Sequence, residues 1–145
     1  KISKRFEDIN IVIPMHKNPL VRETIISILS GYKNVFLTEP FDYGEFVAVM
    51  RESELILSDS GGIQEEAPVL GKPVLVLRET TERSEGIDAG TSKLVGTSSE
   101  KILSEVTSLL CNKKEYEKMS TANNPYGDGT SSKKILDECI KFLDA

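Results

Sequence analysis

The stretch of the chain best suited to chemistry is "SDSGGIQEEAPVLG", from Ser58 to Gly71. An apolar run, "ELILS", leads into Ser60, Gly61 and Gly62, and an acidic helical pattern follows. Glycines let a ligand approach the backbone, and the free N–H groups of a helix start favour an anion such as phosphate. The alternative is a βα turn in which the glycines only ease the bend. The stretch matches neither the Walker loop nor GxGxxG.

Two glutamates follow one turn into this helical pattern, at Glu65 and Glu66. Carboxylates near a helix start gain from the helix dipole without any ligand. The functional alternative is a carboxylate that accepts hydrogen bonds from a ribose diol while the helix start above it holds the phosphate.

Four further side chains lie near predicted strand ends or helix starts and keep two interpretations each. Phe46 is either a core contact or a ring that stacks on a nucleobase. Arg78 and Arg83 are either solvated or suited to recognising phosphate or carboxylate. His16, the only histidine, either binds an anion or caps the following helix.

Short, continuous apolar runs recur at even spacing and predict five strands buried on both faces: Ile9 to Pro14, Asn34 to Thr38, Glu54 to Ser58, Pro73 to Leu77 and Ser92 to Gly96. Helical patterns fill the gaps, for example "NPLVRETIISILSG" with Asn18 as N-cap and Gly31 at its end. A final helix is predicted over "SSKKILDECIKFLDA". This alternation predicts an α/β fold with a parallel sheet and helices on both faces. The remaining turn-rich stretches, "RETTERSEGIDAGTS" and "NNPYGDGTSS", are expected to be functional loops.

Composition narrows the classes of partner and site. The net charge of -5 argues against a nucleic-acid partner, and the scattered basic residues argue against a membrane-surface patch. Cys111 and Cys139 lie at apolar helical positions, so both are expected to be buried free thiols, with no metal site or cofactor. The absence of a visible signal peptide leads to the expectation of a cytoplasmic protein. The start at Lys1, in what reads as the tail of a helix, suggests part of a longer protein.

Three motifs together resemble one known family. "SDSGGIQEEAPVLGKPVLVLRETTERSEGIDAGTSKLVGT", "IPMHKNPLVRET" and "NPYGDG" look like motifs of the non-hydrolysing UDP-N-acetylglucosamine 2-epimerases, in the right order. The likeness spans essentially the whole chain and corresponds to the C-terminal half of the family's enzyme. It implies that residues 1–145 form a single Rossmann-like UDP-binding domain, the C-terminal domain of a GT-B-like two-domain fold.

The resemblance also implies roles for individual residues. Ser60, Gly61 and Gly62 would hold the diphosphate of UDP, and Glu66 would take the ribose hydroxyls. Phe46 would pack on uracil, and Arg83 would belong to the substrate site. His16 resembles a contact of a second, allosteric UDP-GlcNAc site.

The family reaction interconverts UDP-GlcNAc and UDP-ManNAc by eliminating UDP and adding it back on the other face of the sugar. The resemblance assigns its acid and base groups to an N-terminal domain upstream of residue 1, so no catalytic residue is expected in this chain. The family's domain also begins with a central strand upstream of Lys1, without which the strands at Ile9 and Glu54 lack a shared neighbour. Family members are commonly dimeric, which makes a homodimer a candidate assembly.

Two other functions stay open at this point. A glycosyltransferase of the same fold would reuse the UDP site, and a stand-alone nucleotide-sugar-binding module would lack chemistry. "NPYGDG" and "TTERSEG" favour the epimerase.

Overall fold

The computed structural model describes residues 1–143 and contains five short parallel strands. The strands are β1 (Ile11–Pro14), β2 (Val35–Thr38), β3 (Ile56–Ser58), β4 (Val74–Val76) and β5 (Ser92–Leu94). The helices are α1 (Ile2–Arg5), α2 (Pro19–Leu29), α3 (Tyr43–Glu52), α4 (Gly61–Glu66), α5 (Ser84–Asp88), α6 (Ser99–Cys111), α7 (Lys113–Ser120) and α8 (Ser131–Leu143), and a 3-10 turn spans Ala67–Leu70. All five predicted strands are present.

Both faces of β4 are covered, which confirms the predicted α/β architecture. Val74 and Val76 pack with Met50 of α3 and Ala67 of the 3-10 turn on one face. On the other face, Leu75 belongs to a cluster with Val95, which directly follows β5, and with side chains of α1, α6 and α7. Continuous burial of β4 is the reason its sequence reads as an unbroken apolar run.

The predicted single sheet is found in two parts. β1 pairs with β2, and β3, β4 and β5 form a second parallel sheet. Within residues 1–143 no strand lies between β1 and β3, in agreement with the expectation that these two strands lack a shared neighbour. The amino-terminal ends of both strands, at Ile9 and Glu54, line one open cleft of about 550 Å³.

Local signals in the sequence explain most element boundaries. Asn18 caps α2 by accepting a hydrogen bond from the N–H of Leu20, and Gly31 follows the helix with a φ of 96°. Gly71 ends the 3-10 turn in the left-handed conformation. Asp42 and Glu45 form a reciprocal capping box that starts α3.

Two expectations from the sequence need correction. Cys111 and Cys139 are exposed rather than buried, since Cys111 ends α6 and every described residue of α8 around Cys139 is exposed. The stretch after Arg78, expected to be a loop, contains the short helix α5. The loop was predicted from residues that favour turns, but two of them, Ser84 and Gly86, lie inside that helix. The final two residues of the predicted last helix, 144 and 145, lie outside the described residues.

Candidate functional site

The start of α4 presents unused donors at the carboxyl end of β3. Ser58 ends the strand, and its hydroxyl accepts a hydrogen bond from the N–H of Ser60, which turns the chain into the helix. Gly61 and Gly62 form the first helical positions, and Ser60 is the N-cap. The first N–H groups of a helix have no partner inside the helix. The predicted Ser-Gly-Gly turn therefore stands where a ligand of a parallel sheet is expected.

The Ser60 side chain makes no hydrogen bond to its own helix. It differs in this from Asn18, Asp42, Ser98 and Asn112, each of which caps its helix through a side-chain oxygen. Ser60 is exposed, so its hydroxyl is available to a ligand.

Arg83 lies beside this turn, although it is distant in sequence. A methyl group at Gly61 would lie 3.6 Å from the guanidinium Nη2 and 3.0 Å from a carboxylate oxygen of Glu82. Glycine at this position thus lets the loop after β4 approach α4. The structure brings together five of the predicted site residues, namely Ser60, Gly61, Gly62, Glu66 and Arg83.

Two carboxylates pair with Arg83 in this structure. Its Nε donates to Oε1 of Glu65, and its Nη1 lies 3.3 Å from Oε1 of Glu82. The hydrogen bond to Glu65, supported by the charges of Glu65 and Glu82, raises the pKa of Arg83. An anionic ligand would therefore meet a guanidinium that already has carboxylate partners. This pairing of Glu65 was not predicted from the sequence.

Glu82 is held ionised by its surroundings. A hydrogen bond from its own backbone N–H, together with the charges of Arg78 and Arg83, lowers its pKa. Arg78 Nη1 donates to Glu82 Oε2 at 2.9 Å. Arg78 thus acts on the site through Glu82, one of the two carboxylates on Arg83.

Glu66 stays apart from these ion pairs. Its Oε1 would lie 3.8 Å from a methyl group at Gly62, so its carboxylate faces the start of its own helix. No salt bridge of Glu66 occurs among residues 1–143. The two adjacent glutamates have distinct surroundings, because Glu65 binds the arginine and Glu66 does not.

Known proteins are similar to this chain in sequence and in fold. The family model described as UDP-N-acetylglucosamine 2-epimerase matches residues 1–139. The UDP-N-acetylglucosamine 2-epimerase of Escherichia coli K12 is 55% identical over 136 residues, which are 94% of this chain and 36% of that protein.

The chain belongs to the UDP-N-acetylglucosamine 2-epimerase family. The solved epimerase of Neisseria meningitidis bound to UDP-GlcNAc is 52% identical, with a TM-score of 0.92, over 96% of this chain and 38% of that one. The Methanocaldococcus jannaschii epimerase in complex with UDP-GlcNAc and UDP is 32% identical, with a TM-score of 0.79, over 97% of this chain and 38% of that one. The matches confirm the predicted GT-B-like, Rossmann-like fold class. The chain spans little more than a third of these epimerases.

Phe46, predicted for the UDP site, and His16, predicted for a second site, contact other parts of the chain. Phe46 is half-buried on α3 and packs against the core cluster of Met50, Ala67, Val74 and Val76, so the structure provides the core contact. His16 follows β1, in the other sheet, where its Nδ1 accepts a hydrogen bond from the N–H of Asn18 at 3.1 Å. It therefore makes the capping contact that was one of its two interpretations.

The surroundings of His16 still include space for a ligand. With Pro14, Met15, Lys17 and Pro40 it lines an open cleft of about 420 Å³ at the carboxyl ends of β1 and β2. This cleft and the α4 turn are on different sheets.

Sequence reasoning missed three residues that support the candidate site. They are Gln64, Thr81 and Tyr126, which hydrogen-bond to Ser60, Arg83 or Gly86. "GIQEE", "TTER" and "NPYGDG" contained them, but no local pattern shows which loops they join.

Within residues 1–143, His, Cys, Asp and Glu side chains nowhere gather in a group of three that could hold a metal ion. Over the same residues, no helix combines the length and apolarity needed to cross a membrane.

Proposed function

We propose that this chain is the UDP-binding part of a UDP-N-acetylglucosamine 2-epimerase, an isomerase that interconverts UDP-GlcNAc and UDP-ManNAc. The observation that carries the proposal is the convergence of Arg83, Glu66 and the Ser60–Gly62 turn at one strand end, within a chain that matches the epimerase family over residues 1–139. The Neisseria relative, 52% identical, was solved with UDP-GlcNAc bound.

In this proposal the site grips the leaving group. The diphosphate accepts hydrogen bonds from the N–H groups at the start of α4 and from the free Ser60 hydroxyl. Arg83 turns from a carboxylate partner to the phosphate, for which its planar guanidinium is suited. Glu66, which is not committed to an ion pair, accepts from the ribose diol.

Phe46 and His16 have secondary roles in the proposal. Phe46 is half-buried, so the exposed part of its ring contacts uracil while the buried part stays packed on the core. His16 contributes to a second nucleotide-sugar site through the ring nitrogen that does not cap α2, and Lys17 adds a positive charge to the same cleft.

The carboxylates that move the proton at C2 are supplied, in this proposal, by the N-terminal domain of the complete enzyme. The domain assignment of residues 1–145 as one UDP-binding unit belongs to the same proposal, as do a cytoplasmic location and a homodimeric assembly. The reported relatives are all more than twice as long as the matched segment, which supports a division of labour between two parts.

Calorimetry with UDP tests the binding half of the proposal. Wild-type chain is expected to bind, and Glu66→Gln is expected to weaken binding by about tenfold, because hydrogen bonds to a charged group contribute about 1.5–3 kcal/mol. Glu117→Gln, at an exposed carboxylate of α7, serves as the matched control and should bind like wild type. Equal affinity of Glu66→Gln and Glu117→Gln would refute the ribose role.

Exchange of the C2 proton of UDP-GlcNAc with deuterated water tests the catalytic half. We expect no exchange with this chain alone, and exchange after addition of the N-terminal part of a close relative. Exchange by this chain alone would show that the proton-transfer groups had been assigned to the wrong part.

A further inference from the structure

Gln64 is a fully buried polar residue next to the proposed site. Its exposed fraction is 0%, so both ends of its amide need partners. Nε2 donates to the carbonyl oxygen of Ser60 at 3.2 Å, and Oε1 accepts from the hydroxyl of Thr81 at 2.7 Å. A carbonyl can only accept, so the orientation of the amide is determined by its neighbours.

Thr81 continues this connection to the arginine. Its hydroxyl oxygen accepts a hydrogen bond from the N–H of Arg83 at 3.1 Å. A line of three hydrogen bonds therefore runs from the backbone of Arg83, through Thr81 and Gln64, to the carbonyl of Ser60. The line joins the two loops that the proposed function assigns to the diphosphate.

The line also accounts for the unusual N-cap of α4. The Ser60 carbonyl accepts from both the side chain and the backbone N–H of Gln64, at 3.2 and 3.4 Å. The helix start is thereby anchored through the Ser60 backbone, while the Ser60 hydroxyl makes no cap bond. Gln64 thus stabilises the turn without using the group that faces the ligand.

We infer that Gln64 and Thr81 are positioning residues for UDP binding, which hold the Arg83 loop at a fixed distance from the Ser60–Gly62 turn. The inference rests on the proposed function. Neither residue is assigned a contact with UDP; each acts through Arg83 and Ser60. Holding both loops before the ligand arrives lowers the ordering cost of binding.

Thr81 offers a matched pair of variants. Thr81→Val keeps the shape and removes the hydroxyl, which breaks the bonds to both Gln64 and Arg83. Thr81→Ser keeps the hydroxyl. Calorimetry with UDP should show binding weakened about tenfold in Thr81→Val and in Gln64→Leu, and changed less than about twofold in Thr81→Ser.

A distant variant controls for loss of stability. Asn34 donates to the carbonyls of Ser3, Phe6 and Ile9, at the opposite ends of the strands. Asn34→Leu should lower the thermal midpoint while leaving the UDP affinity unchanged. UDP affinity that falls in Asn34→Leu as much as in Thr81→Val would overturn the inference, since any destabilisation would then suffice.

A double-variant cycle separates positioning from general support of the fold. In an Arg83→Ala background, Thr81→Val should cost little further UDP affinity but should still lower the thermal midpoint. An equal affinity loss in both backgrounds would overturn the inference. If Gln64→Leu does not fold, the Thr81 pair and this cycle decide alone.

The same titrations distinguish a failure of this inference from a failure of the proposed function. Wild-type binding with unchanged affinity in Thr81→Val overturns this inference and leaves the proposed function standing. A wild-type chain that gives no binding heat with UDP overturns both.

Discussion

Gly86 has no space for a side chain, and the cause lies in a distant motif. A methyl group at this buried position would lie 2.7 Å from the hydroxyl oxygen of Tyr126. That hydroxyl accepts from the N–H of Gly86 at 3.0 Å and donates to the carbonyl of Arg83 at 3.4 Å. Burial raises the pKa of Tyr126, which keeps it protonated as a donor. The "NPYGDG" motif therefore stabilises the start of α5, next to Arg83.

Gly86→Ala and Tyr126→Phe should be strongly coupled. We expect Gly86→Ala to reduce the free energy of unfolding by about 1–3 kcal/mol through overpacking, and Tyr126→Phe by about 1 kcal/mol through loss of hydrogen bonds. The double variant should lose less than the sum, since removal of the hydroxyl makes room for the methyl group. Urea unfolding of the four proteins measures this. Additive losses would mean that the close approach is not the cause.

The pKa of the Glu100 carboxyl group is far below its ordinary value. A hydrogen bond from Lys1, with help from its own backbone N–H and from Ser99, lowers the pKa of Glu100 from 4.5 to about 2. A lowered pKa in the folded chain stabilises it at pH above 4.5, and that contribution is lost as the pH falls toward 2.

Carboxyl NMR titration should therefore find Glu100 still ionised at pH values below 4.5. In Lys1→Met the midpoint should move up toward the ordinary value, because the hydrogen bond from the Lys1 ammonium to the carboxylate is removed. An unchanged midpoint in Lys1→Met would exclude the Lys1 contact as the cause.

At the scale of elements, the helix starts divide into those capped by a side chain and those that are not. Asp42 joins Glu45 in a capping box and so defines the start of α3, the helix that carries Phe46. Ser60 starts α4 without a side-chain cap. The same position in a helix is therefore used for stability in one case and, in the proposed function, left open for a ligand in the other.

Alanine at the two caps should separate these types. Asp42→Ala should lower the free energy of unfolding by about 1 kcal/mol, since a capping side chain is lost. Ser60→Ala should change it by less than about 0.5 kcal/mol, as is usual for an exposed side chain. In UDP calorimetry, Ser60→Ala should be the weaker binder of the two. The distinction would be wrong if Ser60→Ala destabilised the chain as much as Asp42→Ala.

At the scale of the whole molecule, two features set the structure of this chain. The first is that the strands form two sheets, which the segment around α1 links. Ile2 and Phe6 of this segment pack with the core of the three-stranded sheet. Asn34, just before β2, accepts a hydrogen bond from Ser3 and donates to the carbonyls of Phe6 and Ile9.

The second feature is α8, whose described residues are all exposed, with Ile135 at 63% and Phe142 at 83%. An apolar helix face without packing contributes little to the fold.

Hydrogen exchange should distinguish α8 from α6, which has the same length of 13 residues. α6 buries Val106 and Leu109, so its amides should be protected to near the global stability. α8 should exchange rapidly, since an isolated helix of this length is marginal in water. Equal protection of both helices would show that α8 is packed, and a dependence on protein concentration would identify the partner as a second copy.

The sequence by itself determined the local structure and the class of fold. Unbroken apolar runs at even spacing indicate parallel strands because both strand faces must be covered, as β4 shows. Asn18, Gly31 and Gly71 mark element ends because capping and left-handed backbone are local properties. The Ser-Gly-Gly turn was likewise predictable from neighbouring residues, and the family motifs predicted a UDP ligand, which stays part of the proposed function.

Only the tertiary structure decided how distant side chains meet. Glu65 rather than Glu66 binds Arg83, Gln64 joins Ser60 to Thr81, and Tyr126 supports Gly86. Cys111 and Cys139 are exposed despite their apolar sequence context, since burial depends on what packs against a helix. Each of these contacts joins residues from different segments of the chain. The distance between those segments depends on the order of the strands in the sheet and on the direction of the crossovers, and a short stretch of sequence encodes neither of these two properties.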